Sequence, residues 1–552
     1  MKKNLSLIAV LLILLFGLKT NAQILTPDNS VKEVSEYHIP FSSNLVTDHS
    51  SKIVKWKDKF SVVMNHIINN NSKQTIFGLL ENSNMIIKTV SLPVEYIIND
   101  FTILNDTLYF VGNKKVALDT TNGIIGYVNI ESLFNTPHQK CVYAEVRSTY
   151  NFIRVEAYNK DDGETVVAST GRQFYGEVYY QEEPDFDIEG PIVSGPTIPL
   201  PPNSNIIEPQ ITGENEVQIN STYDELGMGW RTDTLKHREC LATLHIKRTL
   251  DSVEHKYDLW HLPFENFQGR IRDICLTNDF ISVVTTYFAA EFCPDKNNFN
   301  VYWFDKNNLE NRWSKRLIGQ NHSFSDSTIR GELETVYVGG NDIALCYMGN
   351  AGENCNILYK LRIDTNTITP LLSHTFAWSG DSIKHHVWDL EYIKRFNMLA
   401  VLKRSNIYEG IDEVWHLSMN ENTMMPYESY VHTKYYDNLS SLELYDGIYL
   451  GIYGNIPSRK ILLEKQCNEF NSYGNCYDIR KDSVYSELLP IIVENPLMER
   501  CEFIYMDQLV QRVLTPPAYQ NVRNFGTQQI NQYNIIKPCE NINTDIIYKQ
   551  PK

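Results

Sequence analysis

The strongest constraint on the fold is a phrase that the chain repeats. Residues 98–112 read INDFTILNDTLYFVG, and residues 271–285 read IRDICLTNDFISVVT. Looser copies stand at 335–345 (TVYVGGNDIAL), 389–401 (DLEYIKRFNMLAV) and 441–451 (SLELYDGIYLG), with an earlier one at 52–63 (KIVKWKDKFSVV). Each is an alternating apolar run, a short polar turn and a second apolar run, the pattern of a β-hairpin. A further strand pair follows several of them: NVYWF-DKNN-LENRWSKRL at 300–317, ILYKLRI-DTNT-ITPLL at 357–372 and EVWHLSM-NENT-MMPYESY at 413–430. Asn, Asp and Thr at the turns supply side-chain acceptors and tolerate left-handed backbone. Four strands recurring at intervals of roughly 45–60 residues indicate a repeat architecture, and a four-stranded unit of that length is expected to be a β-propeller blade.

The expected fold is therefore all-β, a propeller spanning residues 50–466 with about seven four-stranded blades, eight and six being the alternatives. The first unit is complete in sequence: the 52–63 hairpin, TIFGLL at 75–80 and MIIKTVSL at 85–92. Residues 23–49 read as a lead-in that could close the array. The interval 112–268 needs at least one more blade, and VYAEVRSTYNFIRV (142–155) with ETVVAST (164–170) reads as a degenerate copy. Residues 181–210 are acidic and then proline-rich, which suits an exposed insert better than sheet. Residues 467–552 change character and are expected to form a disulfide-tied appendage or an extension of the last blade.

Compartment and charge narrow the partners. Lys2 and Lys3 precede the apolar run Leu5–Leu18, and Thr20-Asn21-Ala22 offers small residues for cleavage, so residues 1–22 read as a signal peptide. Gln23 would follow the cut, where a lipid-anchored protein would have Cys. An extracytoplasmic location follows, periplasmic, secreted or cell-surface, with no membrane span after cleavage. The formal charge of −17 argues against nucleic acid, which needs basic patches. Ten cysteines, an even number, suggest disulfides in an exported chain. Cys346 with Cys355 and Cys467 with Cys476 flank short loops and are the expected local bridges; Cys275–Cys293, Cys501–Cys539 and Cys141–Cys240 are weaker pairings.

The candidate chemistry lies where each blade's first strand begins. Asp100, Asp273 and Asp389 hold that place in three units, with Thr335 and Ser441 in two more. In a propeller this strand is innermost, so the three carboxylates would approach the channel mouth and could bind a cation or a sugar hydroxyl. Alternatively, each could bond to the next blade's backbone, as short polar side chains commonly do. Asp185, Asp187 and Glu189 before Gly190, and Asp161 in the turn Asn159–Gly163, form oxygen-rich loops with partial calcium-loop spacing. Pro196 stands where an EF-hand needs its closing Glu, so calcium is a weak expectation and no other cofactor is indicated. No GxSxG elbow, HExxH or phosphate-cradling glycine loop is present. The paired histidines His255/His261 and His385/His386 suit ordinary strand positions. Trp230, Trp260, Trp388 and Trp415 suit either interblade packing or a ligand face.

Three resemblances accompany this reading. The chain resembles the broad superfamily of secreted β-propellers over residues 50–466, without a kelch, WD or NHL signature. Asp161-x-Gly163-x-Thr165 is similar to the Asp-box of sialidase-type propellers, although Asn159 and Val166 depart from that pattern. Asp-Ser/Thr-apolar tripeptides, including Asp106-Thr107-Leu108 and Asp251-Ser252-Val253, are similar to the O-glycosylation sequon of exported Bacteroidetes proteins. The expected function is a non-enzymatic binding or interaction scaffold for a protein, peptide or glycan. The alternative is an extracytoplasmic glycoside hydrolase using carboxylates at the channel mouth.

Overall fold

The computed structural model describes residues 34–39, 52–57, 60–69, 72–81, 86–117, 120–146, 150–181, 221–223, 229–249, 252–262, 269–287, 298–319, 333–349, 355–378, 385–393, 398–405, 411–419, 426–435, 437–445, 448–455, 460–467, 478–488, 491–494, 511–512, 523–528 and 530–534. The expected signal peptide lies outside them, as do the body of the 181–210 insert with Asp185, Asp187 and Glu189, and the cysteines Cys293, Cys476, Cys501 and Cys539.

The described chain is all-β, built from antiparallel four-strand meanders with one short helix, Ile130–Asn135. Unit I consists of Lys52–Lys57, Phe60–Asn69, Ser72–Glu81 and Ile86–Ser91, as the sequence indicated. Unit II consists of Tyr96–Leu104, Thr107–Ala117, Thr120–Asn129 and Lys140–Val146. Unit III consists of Tyr150–Asn159, Thr165–Gln181, Gly229–Arg248 and Val253–His261. Units IV (269–319), V (334–378) and VI (385–435) repeat the plan, with first strands Gly269–Leu276, Glu334–Gly339 and His385–Ile393. Unit VII has three strands between 437 and 467, and its fourth is Val34–Ile39 from the lead-in, antiparallel to Lys460–Cys467. The first strand of each unit contacts the first strand of the next, and that of unit VII, Asp437–Tyr445, contacts that of unit I.

One expectation needs correction. Residues 142–155 are no single blade copy. They cross a boundary, the last strand of unit II ending at Val146 and the first of unit III starting at Tyr150. The tail beyond residue 467, expected as an appendage or an extension of the last blade, reaches several units in its described strands. Its described strands add one after another to the outer edges of the units, in the reverse of chain order. Asp478–Leu488 pairs with units VI and V, and Ile491–Glu494 with unit IV. Gln511–Arg512 pairs with unit III, Arg523–Gly526 with unit II and Ile530–Asn534 with unit I.

Pleat alternation determines how the units pack, because successive side chains on a strand point to opposite faces. Leu108 and Phe110 join a core shared with unit I, including Val62, Phe77 and Phe101. Their neighbours Tyr109 and Val111 join a core shared with unit III, including Phe152, Val167 and Leu244. Unit III meets unit IV around Trp260, Tyr302 and Phe304, and unit IV meets unit V around Trp303, Leu345 and Tyr359. The sheets of units II to IV are thus apolar on both faces and stack face to face with their neighbours, each buried large side chain contributing roughly 1.5–3 kcal/mol. The polar turns take the backbone that the sequence indicated, with φ of 58° at Asn105 and 69° at Asn366.

No disulfide forms among the described cysteines, and the geometry gives the reason. The 342–364 hairpin sets Cys346 opposite Leu358 and Cys355 opposite Gly349. The two cysteines are therefore three ladder steps apart, about 10 Å of strand rise, beyond the Cα separation that a disulfide spans. Cys141 and Cys240 are buried in different cores, the first between units I and II and the second between units II and III. Cys275 is a buried thiol as well. Burial pushes the Cys141 thiol up to about 12 and holds Cys240 and Cys275 well above the usual range, so all three act as small apolar core residues.

Candidate functional site

The first strands share a local irregularity that positions the site. Each of units II, III, IV, VI and VII has a β-bulge two to three residues into its first strand, immediately before Asp100, Arg154, Asp273, Asp389 and Ser441 respectively. A bulge turns one side chain away from the regular pleat and toward a neighbouring element. In unit II it brings the backbone so close that the partner must be glycine. A Cβ on Gly112 would lie 2.0 Å from the Ile97 carbonyl oxygen and 2.7 Å from the Ile98 Cα.

Asp100 is buried at 3% exposure, and it is occupied. Its Oδ2 accepts from the Val155 N–H at 2.9 Å, on the first strand of unit III. Its Oδ1 accepts from Lys52 Nζ at 2.7 Å, on the first strand of unit I. The adjacent Asn99 donates to the Phe152 carbonyl at 2.6 Å and to Asn151 Oδ1 at 2.9 Å, both on the strand that Asp100 reaches. Asp273 repeats the arrangement two junctions further on. Its Oδ2 accepts from the Thr335 N–H at 2.8 Å and from Thr335 Oγ1 at 2.6 Å, on the first strand of unit V. Its Oδ1 accepts from the Ile274 N–H at 2.8 Å. Burial raises the Asp273 carboxyl above its ordinary value, opposed by the Arg154 charge and these hydrogen bonds.

These contacts favour the backbone-bonding alternative for Asp100 and Asp273. A first strand has a partner on only one side, so its other edge leaves N–H groups that would remain unpaired. The carboxylate of the preceding unit satisfies one of them and links two first strands at the same time. The side chain of Asp389 lies outside the described residues.

Arg154 stands where units II and IV have Asp. It lies 3.8 Å from Asp273 Oδ1 and 3.2 Å from Glu334 Oε1 of unit V, so one guanidinium spans units III, IV and V. Two residues along the same strand, on the same face by pleat parity, is Glu156. Burial raises its carboxyl to about 7, while the Lys52 charge opposes the shift and Asp100 and Asp273 add to it. Lys52 is lowered by burial, but Asp100 and Glu156 raise it further, so the ammonium is retained. Lys306 contributes a second cation near Glu156 and is itself lowered by burial. The first strands of units I to V thus carry a mixed-sign cluster: Lys52, Asp100, Arg154, Glu156, Asp273 and Glu334. Lys52 and Arg154 keep side-chain exposures of 33% and 27%, which leaves them accessible to a ligand. The sequence phrase identified the aspartates; Lys52, Arg154 and Glu156 carry no repeated signal and became visible only when the strands were aligned in space.

Among the other sequence candidates, those in the described residues have these surroundings. Asp161 lies in an exposed turn closed by Gly163 at φ +81°, with Asp162 Oδ1 accepting from the Glu164 N–H at 3.0 Å and Thr165 Oγ1 donating to Asn159 at 2.9 Å. Among the described residues, no group of three His, Cys, Asp or Glu side chains has the geometry to hold a metal ion. Trp260 is 1% exposed and packs between units III and IV, with the Arg312 guanidinium 4.8 Å from its ring. His255 and His261 pair with Tyr127 and Tyr150 at 3.0 and 3.1 Å. Thr107, in one of the sequon-like tripeptides, is 7% exposed, whereas Ser252 in another is exposed. No described helix is long and apolar enough to cross a membrane. Compared with known proteins, the chain matches no family model and no curated relative.

Proposed function

We propose that this chain is an extracytoplasmic, closed seven-bladed β-propeller that acts as a non-enzymatic binding scaffold. The closure rests on the first-strand contacts that run from unit I to unit VII and return to unit I. Val34–Ile39 completes the last blade, tying the start of the array to its end. The observation that carries the binding role is the occupancy of the carboxylates. Asp100 and Asp273 already bond to backbone and cation partners, so neither is held ready as a nucleophile. What faces a ligand is a mixed-sign surface of Lys52, Arg154 and Glu156, suited to a protein, peptide or glycan that offers both donors and acceptors.

Glu156 gives the hydrolase reading its one specific support, because a carboxyl raised to about 7 suits a general acid. A glycosidase also needs a second carboxylate at a defined separation, and the nearby candidates are Asp100 and Asp273. The test is a screen of the mature protein against glycans and glycosides, with and without calcium, reading both binding and turnover. Binding that Lys52→Ala and Glu156→Gln each weaken without any turnover is the expected result. Turnover abolished by Glu156→Gln would replace the scaffold with a hydrolase.

A further inference from the structure

The segment Arg523–Gln528 (RNFGTQ) is seated in the outer cleft between units I and II, some 380 residues along the chain from the strand it joins. Its side chains alternate between buried and exposed: Phe525 at 5% and Thr527 at 2% point in, while Arg523, Asn524, Gly526 and Gln528 are exposed. Phe525 is the aromatic anchor. Its ring stacks on Tyr96 with centroids 4.2 Å apart and lies 5.6 Å from Tyr143 and 6.0 Å from Phe110.

Around the anchor the segment is held as an added strand and by its rim. Residues 523–526 pair antiparallel with Lys140–Tyr143, and the Thr527 N–H donates to the Gln139 carbonyl at 3.0 Å. The Gln528 N–H donates to the Ser91 carbonyl of unit I at 2.8 Å, and Gln74 Nε2 donates to Gln528 Oε1 at 3.1 Å. Arg523 lies 3.3 Å from Glu145, a buried carboxylate already hydrogen-bonded by Lys114 and Asn122. One buried aromatic, strand addition and a polar rim are the parts of a peptide-recognition groove, and here the groove is filled by the protein's own tail.

We propose that the cleft between units I and II is a strand-accepting receptor for an extended segment with an aromatic anchor, occupied in cis by Arg523–Gln528 as a releasable latch. The occupant is this chain's own segment, and the same segment supplied by a second copy fits the vacated cleft. Attachment through the chain gives the cis segment a high effective concentration, so the resident latch excludes a free peptide from the wild-type protein.

The probe is a fluorescein-labelled peptide with the sequence of residues 521–534, measured by anisotropy against the full chain. Phe525→Ala is expected to bind it at least tenfold more tightly than wild type does, and a peptide with Ala at the Phe525 position is expected to bind neither. A folded Phe525→Ala protein with no gain in peptide binding would overturn the proposal, as would equal binding of the Ala peptide. Should Phe525→Ala fail to fold, Arg523→Glu gives the same reading, because it loses the Glu145 contact from an exposed position; a gain over wild type supports the receptor and no gain overturns it. Hydrogen exchange on the wild-type protein is the independent check. Amides of Phe525 and Thr527 should exchange faster than those of Ile124 and Ile125 in unit II; exchange only with global unfolding would show that the latch does not release.

Discussion

The inner and outer edges of these sheets face the same physical problem and meet it differently. Each four-strand unit leaves an unpaired edge on its first strand and another on its fourth. At the inner edge a side chain does the work: Asp100 and Asp273 reach across a junction and accept the N–H of the next unit's first strand. At the outer edge backbone does it, as tail strands from 478–534 add to units VI back to I. Side chains suit the inner edge because the first strands already lie against one another and one carboxylate can span the junction. The outer edges have no such neighbour, and a travelling strand can cover each in turn. The inner clasp is therefore local and repeated in sequence, while the outer cover is non-local and can be lost as a unit.

The largest expected effect separates the two. Phe525→Ala removes the anchor of the outer strand and should cost about 3–5 kcal/mol, read by denaturant unfolding, with the tail becoming protease-sensitive before the sheets. Asp273→Ala leaves the Thr335 N–H without its acceptor and should cost about 2–3 kcal/mol. Its damage should appear at the junction of units IV and V, with the tail still protected. Gly112→Ala tests the bulge beneath the Asp100 clasp. The added methyl meets the Ile97 carbonyl, and forcing that contact should cost about 1–3 kcal/mol.

Two pH effects are smaller and have opposite signs. The Glu156 carboxyl is raised to about 7, so its contribution to stability is full below an ordinary value of about 4.3 and is lost as pH rises to about 7. Glu156→Gln should match the wild-type Tm near pH 4 and exceed it above pH 7. Burial would raise Glu145 too, but hydrogen bonds from Asn122 and Lys114 and the charges of Lys114 and Arg523 prevail and hold it below its ordinary value. Its contribution is present above about pH 4.3 and is lost as pH falls through the lowered pKa, which should loosen the Arg523 contact in acid. Thermal melts of Glu145→Gln and Glu156→Gln against pH distinguish the two.

How much was legible follows from the length of each signal. Hairpins such as 98–112 are read directly, since alternation over ten or more residues with an Asn-Asp turn has few other solutions. The lead-in was read as a segment that could close the array, and Val34–Ile39 within it does pair with Lys460–Cys467. Residues 142–155 misled because one continuous apolar alternation runs across the corner between units II and III. Tail strands of two to five residues, such as Gln511–Arg512 and Arg523–Gly526, are too short to show a period, and their partners lie hundreds of residues away. The cysteines misled for another reason. An even count in a chain read as exported suggested bridges, but Cys141, Cys240 and Cys275 occupy strand positions that face apolar cores. At the site the aspartates were legible as a repeat, and bonding to the next unit's backbone was one of two readings for them; which amides they meet was not legible, since Val155 and Thr335 belong to other units.

The inner clasp is tested most directly by amide hydrogen exchange at single-residue resolution. Val155 and Thr335 lie on strand edges where an unpaired amide would exchange rapidly. The expected result is slow exchange at both in the wild-type protein, with Val155 alone becoming fast in Asp100→Ala and Thr335 alone in Asp273→Ala. Fast exchange at both amides in the wild-type protein would contradict the account, because the carboxylates would then not be joining one unit to the next.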